Sequence, residues 1–431
     1  MRLGPPSGFR DFAPADMILR KKVISIIEDS FIRYGYDPIE TPVLEYWETF
    51  KGKYGEETEN KLMYKFKDPW SDKWFALRFD LTVPMARFFA SKAFPIPFKR
   101  YHIGRVWRHE RPQRGRYREF WQADADIIGS EYPEADAELL DLTIHTMLKL
   151  GFNKFTVKLN DRRLLKGIFE EELGLRDVLA TYRAIDKLDK IGYDGVKEEL
   201  RKVGLSENTI NRIIEIISTE FSSTSSLDHL IEQFSGNENV EAGIKHLTEI
   251  IDLLGNKKRY VSISLNLVRG LDYYTGPVWE VILADVPLGS VAGGGRYDDL
   301  IGIYAGKKYP ATGTSFGVER IIDAGKEIGI FNADKVTYTQ IYITTISREA
   351  FRYAWNLVKI LRNSGFSAQI DLMRRTERKQ REYANKKNIP IVIYIGPKEL
   401  AENKLTIYNR RTNERWQIDK NEVIEFLRRL L

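Results

Sequence analysis

Between Tyr101 and Gly129 the chain carries two runs, 101–110 and 118–128, that alternate around a polar turn containing glycine. That pattern predicts an antiparallel hairpin. Side chains two apart share a face. Val106, Arg108 and Glu110 therefore lie on one side of the first run, and Arg118, Phe120, Gln122, Asp124 and Asp126 on one side of the second. If those faces coincide, one sheet surface bears two arginines, a ring, an amide and three carboxylates. It does not pack as an ordinary core, because burying such charges unpaired costs several kcal/mol each. The surface is either a solvated face of mutually neutralising ion pairs or a binding surface. Phe120 between charges, and the loop Arg111-Pro112-Gln113-Arg114-Gly115-Arg116, favour binding. A guanidinium grips phosphate oxygens with a two-pronged fork that lysine lacks.

The rest of the chain has to supply a core behind this surface. It has 431 residues, 43% hydrophobic and 30% charged. That is a globular profile and, at roughly 150 residues per domain, enough for two or three domains. Cysteine is absent, which excludes disulfides, thiolate nucleophiles and Cys-ligated zinc. The five histidines (His102, His109, His145, His229, His246) show no metal-ligand spacing, so no metal ligands are named. The first residues lack an apolar signal core, and no apolar run approaches the ~18 residues of a membrane span. A cytoplasmic chain with no membrane partner is expected.

The net charge of +6 says less than its distribution. Lys99–Arg118 holds eight basic residues and one acid, and Leu372–Lys387 holds seven basic residues and two acids. Two separate basic patches point to a polyanion touched at two places.

Hydrophobic spacing predicts a helix over 16–34 (Ile24, Ile27, Phe31, Tyr34) and another over 136–150 (Leu139, Leu142, Thr146, Met147, Leu150). Residues 39–50 and 73–79 read as strands or strand ends. From 161 to 256 the pattern turns helical and polar, as a helical insertion. Strands return at Tyr260–Val268 and Pro277–Leu283, then a turn at Gly293-Gly294-Gly295 and a helix from near Gly317. Residues 326–337 read as a linker. Beyond it, strand 340–346, helix 347–364, strand 367–372, helix 376–388, strand 390–395, hairpin 404–418 and helix 420–431 predict a separate α/β domain. Helix 347–364 is expected to bury Phe351, Ala354, Trp355, Val358 and Leu361. The domains are therefore 1–325, interrupted by 161–256, and 338–431.

No G-x-x-x-x-G-K-[ST] loop and no G-x-G-x-x-G turn is present, so a bound nucleotide would rely on arginines. The hairpin resembles motif 2 of class II aminoacyl-tRNA synthetases: Arg108-His109-Glu110, a loop at 111–117, then Arg118-Glu119-Phe120. Tyr36-Asp37-Pro38-Ile39-Glu40-Thr41-Pro42 resembles motif 1, the dimer-forming segment. Gly313-Thr314-Ser315-Phe316-Gly317-Val318-Glu319-Arg320 resembles motif 3. Leu267-Val268-Arg269-Gly270-Leu271-Asp272-Tyr273-Tyr274-Thr275-Gly276 and Ala292-Gly293-Gly294-Gly295-Arg296-Tyr297-Asp298 resemble the two signatures of histidyl-tRNA synthetases. The form Arg78-Phe79-Asp80-Leu81-Thr82-Val83-Pro84 is similar to that of the archaeal and eukaryotic branch. The resemblance implies an α+β fold: an antiparallel sheet flanked by helices, a helical insertion and a C-terminal anticodon-binding domain.

It also implies a chemistry: ATP-dependent activation of L-histidine to the adenylate, transfer to the 3′ end of tRNA(His), and a homodimer. Asp126 and Tyr274 match the positions that read the imidazole, with Tyr273 beside them. The shorter Asp126 carboxylate leaves room for a water. Asp80, Thr82 and Gln122 match those that hold the α-amino group. Arg108 matches the α-phosphate contact, Arg116 the γ-phosphate contact and Glu110 the adenine contact, with adenine stacked between Phe120 and Arg320. Arg269 is the implied catalytic cation, bridging carboxylate and α-phosphate with Arg108 nearby. Mg²⁺ would ride mainly on the nucleotide. Gln113 and Arg114 are the implied tRNA contacts of the hairpin loop, and Met373–Lys387 part of the anticodon-binding surface. Two other readings compete. A regulatory paralogue would lack the C-terminal domain and the ATP residues. A plain RNA-binding protein would explain neither the acid-lined hairpin nor the Arg269–Gly276 signature.

Overall fold

A computed structural model describes residues 3–221, 228–268 and 273–431. Residues Arg269, Gly270, Leu271 and Asp272 of the signature lie outside this set. The chain divides into two compact units, one of Met1–Asp11 with Lys22–Phe331, the other of Phe12–Lys21 with Asn332–Leu431.

The first unit is built on a nine-stranded sheet. The hairpin, Phe98–Trp107 with Glu119–Ile128, lies near one edge, and Asp37–Pro38 is the edge strand, parallel to Phe98–Trp107. Next to Glu119–Ile128 come Ala311–Gly317, Ala292–Arg296, Pro277–Leu283 and Phe155–Asp161, each antiparallel to its neighbour. Val261–Ser264 adds in parallel and Glu220–Phe221 closes the far edge. Helix Pro133–Lys149 buries Leu139, Leu142, Thr146 and Met147 completely. Among the described residues between 162 and 253 the regular elements are helices apart from that short edge strand. The run 39–50 is less extended than its sequence pattern suggests: Leu44–Tyr46 pairs with Trp74–Leu77 in a small three-stranded sheet, and Trp47–Phe50 is helical.

The sheet's central strands are bare for a steric reason. A Cβ on Gly294 would overlap the Gly313 carbonyl and stand 2.7 Å from the Trp279 ring. One on Gly313 would overlap the Asp126 carboxylate. The glycines let large side chains from neighbouring strands lie flat across the surface.

The second unit carries a five-stranded sheet in the order Ala368–Ile370, Ile341–Thr345, Ile391–Ile395, Lys404–Asn409, Glu414–Asp419, the first three parallel. Helix Arg348–Asn363 packs Ala354, Leu357, Val358 and Leu361 into its core. Trp355 departs from the expected core: it is 43% exposed and stacks on Phe351 instead. The predicted linker 326–337 also needs correcting. Helix Val318–Glu327 runs into it, and Phe331 is buried edge-on against Phe152, so these residues belong to the first unit.

Candidate active site

The hairpin register pairs Val106 with Phe120, Gly104 with Gln122, His102 with Asp124 and Arg100 with Asp126. Even-numbered residues of both strands therefore share one face, and the polar surface foreseen from alternation is continuous. The strands are shorter than the predicted runs, so Arg108 and Glu110 sit just beyond the end of one, and Arg118 just before the start of the other. Gln113 and Arg116 exchange backbone hydrogen bonds of 3.2 and 2.9 Å across the tip, and Gly115 takes a positive φ of 71° there.

A cavity of about 410 Å³ opens over this end of the sheet. Arg108, Glu110, Arg116, Phe120, Gln122, Tyr274 and Arg320 all line it. They come from the hairpin, from the first signature-like segment (Tyr274) and from the closing helix, Val318–Glu327 (Arg320), about 200 residues apart at the extremes. The Arg108 guanidinium lies 4.4 Å from the Phe79 ring centre and 5.2 Å from that of Phe120, with Nε donating to the Phe79 carbonyl at 3.2 Å. Arg116 and Glu110 form an ion pair at 3.5 Å. Arg320 is pinned across the hairpin tip, donating to the Gly115 carbonyl at 2.8 Å and the Ser290 carbonyl at 2.7 Å. Glu319 accepts from the Trp121 amide at 2.7 Å, which ties the closing helix to the hairpin strand. Gly293 and Gly294 form part of the wall.

The remaining expected residues lie elsewhere. Asp126 does not line the cavity. It is buried, paired with the buried Arg100 at 2.6 Å and hydrogen-bonded by the Tyr297 hydroxyl. Asp80 accepts from the Val83 amide in the first turn of helix Thr82–Ala90 at 3.0 Å, with the Tyr54 hydroxyl beside it. Thr82 is a neighbour of the Tyr273 hydroxyl, and the Tyr273 ring packs edge-on against Tyr274 at 5.1 Å. Gln113 and Arg114 are exposed at the hairpin tip, and Arg114 pairs with Glu327. Arg269 lies outside the described residues.

Charge burial dominates the electrostatics. Burial pushes Asp80 and Asp126 above the usual carboxylate range, against the pull of Arg108 and Arg100 respectively. Asp124 is pushed up to about 7, first by burial and then by Asp126 and Asp80, with Arg100 pulling it back. His102 is lowered to about 3 by burial beside Arg100 and Arg78, so it stays neutral. Tyr117 rises to about 12, by burial and its 2.6 Å bond to Asp323. Arg78 threads over Gly104, donating to the carbonyls of Arg105 and Thr41 at 2.7 Å each. Among the described residues no group of three His, Cys, Asp or Glu side chains could hold a metal ion. No described helix is long and apolar enough to cross a membrane.

Sequence reasoning did not single out Tyr54, Trp279, Ser290 or Arg100 as site groups. Arg100 was one of eight basic residues in a patch; only the strand register shows that it faces inward.

Comparison with known proteins gives the family. A family model described as histidyl-tRNA synthetase matches residues 8–321, and an anticodon-binding-domain model matches 340–430. The chain is 54% identical to the histidine–tRNA ligase of Korarchaeum cryptofilum, covering 99% of this chain and 98% of that one. It is 51% identical to that of Aeropyrum pernix, with the same coverage. Among solved structures, histidyl-tRNA synthetase from Nostoc superposes over the whole of both chains with a TM-score of 0.87 at 28% identity. With the hairpin, the glycine-walled cavity and both family matches in hand, the chain belongs to the histidyl-tRNA synthetase family.

Proposed function

We propose that the hairpin cavity is where this histidine–tRNA ligase, an ATP-using aminoacyl-tRNA synthetase, forms histidyl-adenylate. The observation that carries the assignment is the convergence of Arg108, Glu110, Arg116, Phe120, Gln122, Tyr274 and Arg320 on one cavity. On this reading adenine stacks between Phe120 and Arg320 beside Glu110. Arg108 meets the α-phosphate and Arg116 the γ-phosphate. Charge-assisted contacts of this kind position phosphates and stabilise the negative charge that builds during attack.

Histidine lies deeper. Its α-amino group meets Gln122, Asp80 and Thr82, and its imidazole meets Tyr274, Tyr273 and Asp126. The Arg100–Asp126–Tyr297 cluster suits an indirect role for Asp126, with a water or Tyr297 between it and the ring. The carboxylate of the bound histidine attacks the α-phosphorus in line and pyrophosphate leaves; the 3′-terminal ribose of tRNA(His) then attacks the adenylate. Arg269 bridges the carboxylate and α-phosphate. Mg²⁺, held chiefly by phosphate oxygens, would neutralise the leaving pyrophosphate.

Three further assignments belong to the same reading. Residues 338–431 bind the anticodon, with the exposed Arg374, Arg378 and Lys379 among the contacts. Gln113 and Arg114 at the hairpin tip reach the tRNA acceptor end. The chain acts as a cytoplasmic homodimer; the exposed Leu44, Tyr46, Phe66 and Trp74 on the small sheet, next to Tyr36–Pro42, favour an apolar interface with a second copy.

Histidine-dependent ATP–pyrophosphate exchange tests the core of it. Arg269→Ala and Arg108→Ala should each lower kcat by roughly 10²–10³-fold. Exchange near the wild-type level in either variant removes that residue from the chemistry.

A further inference from the structure

Gln122 is 7% exposed and lines the cavity, yet an amide can face a ligand with either its oxygen or its nitrogen. Only the oxygen can accept from an ammonium group. Something has to decide which end points inward. On the strand, Asp124 lies two residues from Gln122 and shares its face, and Ser315 of the next strand stands directly opposite Asp124. The Gln122 Nε2 donates to Ser315 Oγ at 2.6 Å and reaches Asp124 Oδ1 at 3.5 Å. The Ser315 hydroxyl in turn bonds to the Asp124 carboxylate. At pH 8 the Asp124 carboxyl is mostly ionised and only accepts, so the serine must spend its proton on it. It is then left with lone pairs, which only the amide's N–H can meet. Gln122 Oε1 is buried and has no hydrogen-bond partner in the protein.

We infer that Asp124 and Ser315 are positioning residues that set the Gln122 amide with its oxygen towards the α-ammonium group of histidine. The inference rests on the reading that Gln122 holds that group. Neither residue need touch the substrate. The titratable groups facing Asp124 include Arg78, Arg100, His102, Tyr274, Asp80 and Asp126, so the carboxylate sits among two cations, a neutral imidazole, a phenol and two further acids. Asparagine at 124 could donate to Ser315 or to the amide oxygen, and the orientation would no longer be dictated.

The full-length enzyme at pH 8 provides the test, by equilibrium binding of histidine and of 3-(imidazol-4-yl)propionate, the analogue that lacks the α-amino group. Asp124→Asn should weaken histidine on the order of tenfold and leave the analogue within about twofold. Ser315→Ala should act in the same direction by about threefold. In a Gln122→Ala background, Asp124→Asn should add nothing, because the group it orients is gone. Equal weakening of both ligands would make Asp124 a structural support of the pocket and overturn the proposal. So would a full Asp124→Asn effect persisting without Gln122, which would mean a direct charge effect on the ammonium. If Gln122→Ala alone leaves histidine binding unchanged, the underlying assignment of Gln122 fails instead.

Discussion

The two basic stretches, 99–118 and 372–387, look alike as strings of letters and behave oppositely as matter. In the first, the charge that faces the sheet and cavity is drawn inward, while Arg105, Arg111 and Arg114 stay exposed. Arg100 is fully buried against Asp126, Lys99 bonds the Tyr34 carbonyl at 2.6 Å and Glu138 at 2.7 Å, and Arg108 lies against two aromatic rings. In the second, charge stays in water. Arg378 and Arg381 pair with Glu382 and Glu377 one turn away at 3.0 and 2.9 Å, on a helix whose buried members are Gln380 and Ala384. Arg375 is the exception, held by the buried Asp371. A buried, paired arginine shapes a site. A solvated one is held available for a partner, because exposed pairs contribute little to stability.

The comparison breaks most readily at Arg100. Arg100→Ala leaves Asp126 buried without its cation, and breaking such a pair costs about 3–5 kcal/mol. Denaturant unfolding of the first unit's transition should show it. A loss under about 1 kcal/mol would mean that water or Tyr297 already satisfies Asp126 and that burial is not what distinguishes this stretch.

The next effect lies on the other side. Replacing Arg374, Arg378 and Lys379 together with Glu should raise the tRNA KM in aminoacylation by at least roughly tenfold and flatten its salt dependence. Histidine-dependent pyrophosphate exchange should stay within about twofold. If exchange falls in parallel with aminoacylation, the second patch supports the fold or the catalytic site rather than the tRNA.

How much of this was legible in advance follows from range. The hairpin face was readable because strand alternation is local and strict, and the register happens to match even numbers with even. The convergence of Arg108, Glu110, Arg116, Phe120 and Arg320 on one cavity followed from the motif resemblance. The pairing of Asp126 with Tyr297, 171 positions away, and of Trp279 with the bare Gly294 has no local signature. Nor does the inward turn of Arg100, which only the packed sheet decides. The linker was misplaced at 326 because polar residues in helix Val318–Glu327 read like loop, while the contact that holds Phe331 lies on Phe152. Trp355 was assigned to the core by helical spacing alone, and its neighbour Leu357 took that place.

A pH effect sharpens the contrast further. Asp124 in the folded chain titrates near 7, above the ~3.9 of an unfolded aspartate. The folded state thus keeps a proton that the unfolded state releases. The stabilising contribution is complete below about pH 4 and is lost as pH rises through about 7. Asp124→Asn removes this dependence, so its stability relative to wild type should improve between pH 5 and pH 8, on the order of 2–3 kcal/mol. Urea midpoints at the two pH values measure it. A constant difference would place the titration on Asp80 or Asp126 rather than Asp124.

The smallest expected effect is the most exacting for the second patch. Arg378→Ala and Arg381→Ala each break an exposed pair one helical turn long, and each should change stability by no more than about 0.5 kcal/mol. The pair would then offer no folding reason for these arginines to be there. Crowding of like charge on the helix Glu377–Lys386 also disfavours a structural role: Arg378, Lys379, Arg381 and Lys386 repel one another across adjacent turns, and only two acids answer them. Adding salt should therefore stabilise this unit slightly while it weakens tRNA binding, two opposite responses from the same side chains. If salt instead destabilises the unit, and the single substitutions cost more than 1 kcal/mol by the approximate scale of exposed pairs, the helix's charges are structural, and the division between inward and outward arginines fails.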